Sequence, residues 1–266
     1  MDATIERIDG QPFGRCYKIE ADGVVHYLPS VTTILKMLPD PYLDRLQTEL
    51  GPEKFALVTR RASDRGTVMH KWLEEFYDHY GRHQDPEAAV VHTQEYIKKW
   101  SDTFVPETDK ARALKIGREL FYNFYTRSCY KKIKAVLHNE IFMYTFFRTG
   151  WAGASDFIFE DVDDLLVVQD FKSSSDMKDP DNIPKYKLQI AAYMFSYAGM
   201  YGRVPDRGEI LISNEKCDVI QTIIVPKSEL KMYMDQFLDL LKKFKQTPEW
   251  LEFERKVSDG LVLTAN

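Results

Sequence analysis

Cysteine is scarce in this chain: three residues in 266, Cys16, Cys129 and Cys217. They are far apart, odd in number and show no CxxC spacing. That argues against a disulfide framework and against an iron–sulfur cluster; buried free thiols are expected. Long hydrophobic runs are also missing. No apolar stretch approaches the ~20 residues that a membrane span needs. Residues 1–10 are acidic and lack both the apolar core of a secretory signal and the Arg-rich, acid-poor character of a transit peptide. A cytoplasmic protein with no membrane partner is expected. Positive charge is not in excess: 36 Lys and Arg face 41 Asp and Glu, a net charge of -5. Non-specific nucleic-acid binders usually carry a basic footprint. A carboxylate-rich metal site, however, adds negative charge that bound cations neutralise. Local basic clusters exist at Arg60, Arg61 and Arg65, at Lys110, Arg112, Lys115 and Arg118, and at Lys131, Lys132 and Lys134. Each is either a solvated helix face or a phosphate track.

Hydrophobic residues make up 44% of the chain, enough for one sizeable core. The start reads as a hairpin, Arg15 to Glu20 and Val24 to Leu28 about an Asp22-Gly23 turn. Ser30 then caps a short helix through Val31, Ile34 and Leu35. Pro41 to Tyr130 is helical. Pro41 suits a helix start, Gly51-Pro52 a break, and Arg65 to Tyr80 an amphipathic helix closed by Gly81. Further helices span Ala88 to Trp100 and Thr108 to Tyr130. From Ile133 strands alternate with helices: strands at Ile133 to Phe147, Trp151 to Phe159, Leu165 to Lys172, Glu209 to Ser213 and Val219 to Val225, helices at Lys185 to Gly199 and Ser228 to Lys245. That pattern predicts an α/β (α+β) fold, a mixed sheet covered on both faces. One domain over 1–266 is expected, with a helical lobe at 41–130 inserted and the core sheet and C-terminal helix in 131–266.

The chemistry concentrates between Gly150 and Ser175. If the acidic segment 160–164 is a hairpin turn, antiparallel partners sum to a constant. Asp156 and Asp170 then face each other across the strands, with Cβ atoms ~5 Å apart. Lys172 follows Asp170 by two and points to the same face. Two carboxylates and a lysine at the end of the apolar run Leu165 to Val168 are costly unless they serve something. Asp-x-Lys alone is common and can be a mere ion pair; the second carboxylate in register weakens that reading. Two hard carboxylates suit Mg²⁺ or Mn²⁺. Such an ion supports phosphodiester hydrolysis, with Lys172 orienting the water or stabilising the added charge. Glu140 is either a third ligand or a strand-edge charge. His70 is either a ligand or a packing residue. Gln189 and Tyr193 share a helix face and either contact a phosphate, brace the metal site or bond within the core.

In order, the chain shows Arg65-Gly-Thr-x-x-His70, Glu140 on a strand, Gly153-Ala-Ser-Asp156, Asp170-Phe-Lys172-Ser-Ser, and Gln189-Ile-Ala-Ala-Tyr193. This order resembles the RecB-like branch of the PD-(D/E)XK nucleases. Pro29-Ser-Val-Thr-Thr-Ile-Leu35 and Leu50-Gly-x-x-x-Phe55 are similar to the mitochondrial genome maintenance exonucleases and their phage relatives. The resemblance implies a restriction-endonuclease-like core sheet with a helical lobe roofing the site. It implies metal ligation by Asp156 and Asp170 with His70 and Glu140 assisting, and Lys172 as the catalytic lysine. Arg65, Ser173, Ser174, Gln189 and Tyr193 are the expected substrate contacts. Single-stranded DNA is the implied substrate, cut from free ends, with replication, repair or recombination proteins as partners and a phage or bacterial setting. Aromatic rings of the lobe, Phe121, Tyr122 and Tyr125, either pack in the core or stack on unpaired bases, and Arg60, Arg61, Lys115 and Arg118 are expected to hold phosphates. The four-cysteine cluster of the Cas4 and AddB relatives is absent. A structure-specific endonuclease and a non-catalytic DNA-binding module on the same fold are the alternatives.

Overall fold

A computed structural model describes residues 3–180, 183–217 and 219–259. The remaining residues of the expected 1–266 domain lie outside the described residues.

Three strands open the chain: β1 (Thr4–Gln11), β2 (Gly14–Ala21) and β3 (Val24–Pro29), an antiparallel sheet in the order β1-β2-β3. The Asp22-Gly23 turn has φ of +52° and +75°. Both residues are left-handed, as the tight turn of a two-residue hairpin requires. The expected hairpin is therefore there, but β1 joins it. In β1 only Ile8 is buried, so its sequence carries too little apolar alternation to announce a strand. Ser30 caps α1 (Val31–Ile34), its Oγ accepting the Thr33 N–H at 3.0 Å.

Four helices follow: α2 (Pro41–Leu50), α3 (Pro52–His83), α4 (Pro86–Thr103) and α5 (Lys110–Thr126). Proline opens α2, α3 and α4, where its missing N–H costs nothing. The helix expected from Arg65 starts 13 residues earlier, at Pro52, over more than three turns whose residues are mostly exposed and so lack an apolar stripe. Gly81 does not end it. Gln84, at φ +55°, takes the left-handed cap position. Gly81 lies inside the helix because a Cβ there would meet Val136 at 2.9 Å. Asp64 of α3 accepts the Glu107 N–H at 3.0 Å and bonds the Thr108 hydroxyl, tying the α4–α5 connection down.

The second sheet has five strands in the order β4 (Ile133–Thr145), β5 (Trp151–Asp161), β6 (Leu166–Ser174), β7 (Arg207–Asn214) and β8 (Ile220–Pro226). Only β6 and β7 run parallel, joined across α6 (Pro184–Tyr201). On one face α3 and α5 pack Leu73, Phe76, Leu120 and Phe124 with Phe157, Phe159 and Phe171 of the strands. The other face takes α6, α7 (Leu230–Phe244) and α8 (Pro248–Ser258) over Ile158, Val168 and Ile210. Each fully buried large apolar side chain contributes ~1.5–3 kcal/mol, so both faces are held firmly. Residues 188–194 of α6 are all buried, so this helix is covered all round. α8 lies beyond the expected C-terminal helix. Its Trp250 and Phe253 sit 4.9 and 5.0 Å from the Phe13 ring, which fastens the first sheet to the end of the chain.

Candidate active site

β5 and β6 pair as Phe157 with Gln169, Ile158 with Val168, Phe159 with Val167 and Glu160 with Leu166. The sum of partner numbers is the one expected from Asp156 facing Asp170. The ladder stops at Phe157, so the two aspartates occupy the first positions where the strands part. There the Asp156 carboxylate replaces a strand carbonyl: its Oδ2 accepts the Phe171 N–H at 2.7 Å.

On the far side of β5, β4 pairs Asn139 with Phe157 and Ile141 with Ser155. Glu140 therefore stands opposite Asp156, and its φ is +52°. A left-handed conformation for a non-glycine residue in mid-strand costs on the order of 1–3 kcal/mol and concentrates at functional sites. α3 brings His70 from above, Nδ1 3.6 Å from Asp156 Oδ1. Among the described residues, His70, Glu140 and Asp156 are the group whose candidate ligand atoms all lie within 4.8 Å of one another.

Asp170 sits beside this group and is 2% exposed. Gln189 Nε2 of α6 donates to its Oδ1 at 3.2 Å and to the Tyr193 hydroxyl at 3.1 Å. Gln189 and Tyr193 thus brace the carboxylate. Gly153 makes room for this, since a Cβ there would meet the Tyr193 ring at 2.8 Å. The other oxygen, Oδ2, takes no aligned hydrogen bond among the described residues. It lies 2.5 Å from Lys172 Nζ, a charge contact whose angle is poor for hydrogen bonding.

Electrostatics follow from packing like charges in a partly dry place. Burial raises Asp170 to about 6, and the Asp156 charge adds to that. Burial also raises Asp156. Glu140 is raised to about 8, by burial first and then by Asp156, Glu74 and Asp170. Its side chain is exposed to the cleft, so water there screens part of the repulsion. Burial would lower Lys172, but Asp170 and Asp156 outweigh it and keep the ammonium charged. Burial, then Lys172, pulls His70 down to about 4. The result is a neutral imidazole with a lone pair to offer. A neutral imidazole, two carboxylates and a carboxylate oxygen without a hydrogen bond fit a divalent cation. A cation would also relieve the repulsion that lifts the acids.

These groups open onto one cleft of about 690 Å³, lined on the floor by Glu140, Asp156, Asp170 and Lys172. Gln189 and Tyr193 line it too, and α3 contributes Gly66, Thr67 and His70. Arg65, Ser173 and Ser174 are not among the residues that line it. Arg65 pairs with Glu215 at 2.9 Å. Ser174 is buried and donates its hydroxyl to the Asp176 carbonyl at 2.7 Å. Ser173 Oγ faces Gly66. For the lobe aromatics the packing alternative holds. Phe121 is 1% exposed and stacks on Trp72 at 5.0 Å. Tyr122 accepts a hydrogen bond from Gln94, and Tyr125 stacks on Tyr130. They fill the seam between α3, α4 and α5, and the ring that α4 does place in the cleft is Trp100. Nor do Arg60, Arg61, Lys115 and Arg118 line it; its cations are Arg7, Arg15, Lys71 and Lys172.

Among the cleft residues that escaped the sequence reading are Glu74, Lys71, Arg7, Arg15 and Trp100. Glu74 follows His70 by four and so shares its helix face, a signal that was available. Lys71 lies 2.9 Å from both Glu74 and Glu75.

Among the described residues no helix is long and apolar enough to cross a membrane. No curated protein matches the sequence. Among solved structures, the chain is similar to a protein of Eubacterium rectale proposed to be an exonuclease, at 15% identity, over 74% of this chain and 69% of that one, with a TM-score of 0.46. It is also similar to the protein SSO0001, at 12% identity, over 49% of this chain and 63% of that one, with a TM-score of 0.30. The sequence profile of the PD-(D/E)XK nuclease superfamily matches residues 41–258. The five-stranded mixed sheet with helices on both faces is the restriction-endonuclease-like core of those enzymes. From α2 to α8, then, the chain belongs to the PD-(D/E)XK nuclease superfamily.

Proposed function

We propose that the protein is a divalent-metal-dependent exonuclease that hydrolyses single-stranded DNA from free ends, in replication, repair or recombination. The observation that carries this reading is the convergence of His70, Glu140, Asp156, Asp170 and Lys172 on one cleft, where β5 and β6 part.

His70, Glu140 and Asp156 would hold the ion, with Asp170 completing the set once Lys172 turns from it. When bound, Mg²⁺ or Mn²⁺ supplies Lewis-acid polarisation of the phosphate and lowers the pKa of a bound water. The imidazole nitrogen suits Mn²⁺ better than Mg²⁺. The side chains do the rest. Asp170, held by Gln189, would present its carboxylate to the ion in a fixed orientation. Lys172 stays protonated and places its ammonium against the charge that grows on the phosphate oxygens. Tyr193 and Gln189 keep that floor rigid, so little reorganisation is needed during the reaction.

The preference for one strand rests on the shape of the site. The floor lies between α3 and the first sheet, with walls contributed by Ala62, Ser63 and Thr67 on one side and Arg7, Arg15 and Tyr17 on the other. A duplex is ~20 Å across and stiff, with a persistence length of about 150 base pairs; a single strand bends into such a slot. The test is one sequence offered with Mg²⁺ as a linear single strand and as a ligated circle. The linear strand is expected to be degraded and the circle to survive. Equal rates on both would overturn end-dependence and favour the endonuclease reading.

A further inference from the structure

The superfamily match begins at residue 41, yet the cleft does not. Part of its wall is the N-terminal sheet, which contributes Arg7 and Arg15. The two guanidinium groups share one carboxylate: Arg7 Nε lies 2.6 Å from Asp9 Oδ2, and Arg15 Nε 2.8 Å from Asp9 Oδ1. Asp9 falls where the β1–β2 register shifts, between Ile8 and Gln11. Such irregularities re-aim side chains.

The backbone under Arg15 is held to the catalytic body. Its N–H donates to Thr33 Oγ1 at 2.9 Å, and its carbonyl accepts the Ser30 N–H at 3.1 Å. Ser30 in turn bridges to Ala152 of β5, four residues before Asp156. The arginines therefore keep a fixed relation to the cleft floor. From α4, a different element, the Trp100 indole enters the same cleft, backed by Phe104 at 4.7 Å between ring centroids.

We propose that Arg7 and Arg15, yoked by Asp9, clamp the sugar-phosphate backbone of a single polynucleotide strand, and that Trp100 receives one of its bases. The clamp rests on the nuclease reading but deepens it. It assigns substrate holding to a sheet outside the matched region, with a net charge of one positive unit spread over two forked donors. Arginine forks match phosphate oxygens in geometry, and a flat ring stacks on any base. The arrangement grips a strand without reading its sequence. Without the clamp, the trio would be only a surface ion-pair network joining β1 to β2.

The test is binding of a fluorescein-labelled 12-nucleotide oligothymidylate, followed by anisotropy, in an Asp170→Asn background so that substrate is not consumed. Arg7→Gln with Arg15→Gln keeps a donor for Asp9 but removes the charge. The pair is expected to weaken binding on the order of tenfold at 0.05 M salt and to flatten the salt dependence by about one unit of slope, given ~0.7 per single-strand phosphate contact. Asp9→Asn is expected to tighten binding at low salt. Trp100→Ala is expected to weaken the oligothymidylate but not an abasic strand of equal length, whereas the arginine pair weakens both. With Asp170 restored, the arginine pair raises KM and leaves kcat unchanged. Binding and salt slope unchanged within twofold, with only a lower thermal midpoint, would overturn the clamp. Absence of cleavage by the unaltered protein would instead overturn the nuclease reading, because the binding assay needs no turnover.

Discussion

Asp156 is bonded to the backbone of the residue after its own cross-strand partner: its Oδ2 accepts the Phe171 N–H at 2.7 Å where the β5–β6 ladder ends. The carboxylate thus has a structural duty beside its proposed ligand duty, and substitution can separate the two. Asp156→Asn keeps an acceptor for Phe171 and is expected to fold with a nearly unchanged thermal midpoint. Asp156→Ala leaves that N–H unpaired, at a cost of about 1–3 kcal/mol. Both variants are expected to lose Mn²⁺ affinity in calorimetry. Tight Mn²⁺ binding by the asparagine variant would remove Asp156 from the ligand set.

Lys172 neutralises Asp170 at 2.5 Å, so it competes with a cation for the same oxygen. Lys172→Ala is expected to retain Mn²⁺ binding while turnover falls about 10²–10³-fold, the usual loss when one preorganised charge-stabilising group is removed. If the variant unfolds, or binds and cleaves like the parent, Lys172 is only an ion-pair partner.

Glu140 gives a pH signature. Its pKa is raised from 4.5 to about 8 in the fold, so the folded state holds a proton that the unfolded state has lost. Stability must therefore fall as pH rises between those values, with the loss complete above about 8. His70 acts oppositely: pulled from 6.5 to about 4, it disfavours the fold as pH drops through that range. Asp170, raised to about 6, acts in the same sense as Glu140 but fades above about 7. The window from about 7 to 8 is carried mainly by Glu140. In EDTA the thermal midpoint is expected to decline across it, and Glu140→Gln to flatten the decline. Excess Mn²⁺ should reverse it, because the metal takes the deprotonated ligand. A midpoint that rises across this window in EDTA would contradict the assignment.

Gly117 of α5 lets that helix close on α3: a Cβ there would stand 2.4 Å from Val68 Cβ and 2.9 Å from the Arg65 carbonyl. Gly117→Ala is expected to cost about 1–3 kcal/mol through overpacking. It also shifts the segment of α3 that carries His70, so cleavage should drop although residue 117 is outside the cleft. An unchanged midpoint by calorimetry would show that the helices slide apart freely.

How much of this was legible beforehand can be judged from particular residues. The pairing of Asp156 with Asp170 followed from arithmetic, because it centres the hairpin on residue 163, inside the acidic segment where a turn is expected. Asp22-Gly23 and the prolines at 41 and 52 also spoke plainly, since each restricts the backbone by itself. Phe121 did not: a ring on an aromatic-rich helix looks alike whether it faces a base or Trp72, and only the third dimension decides. Gly81 looked like a cap because its close neighbour, Val136, lies 55 positions away. Arg7 and Arg15 were missed for the same reason, since their distance in sequence from Asp170 hides a shared cleft. The left-handed φ of Glu140 had no sequence signal, because the strain is imposed by the strands around it.

The cleft of His70, Glu140, Asp156, Asp170 and Lys172 is the proposed metal-dependent nuclease site. The most direct measurement is release of acid-soluble nucleotides from linear single-stranded DNA, with Mg²⁺ or EDTA, by the parent protein and by Asp170→Asn. That substitution keeps the shape of the side chain and an acceptor for Gln189 but removes the charge. Nucleotide release by the parent with Mg²⁺ alone, and none from the folded variant, is the predicted result. Equal release by Asp170→Asn, or full release in EDTA, would contradict the account.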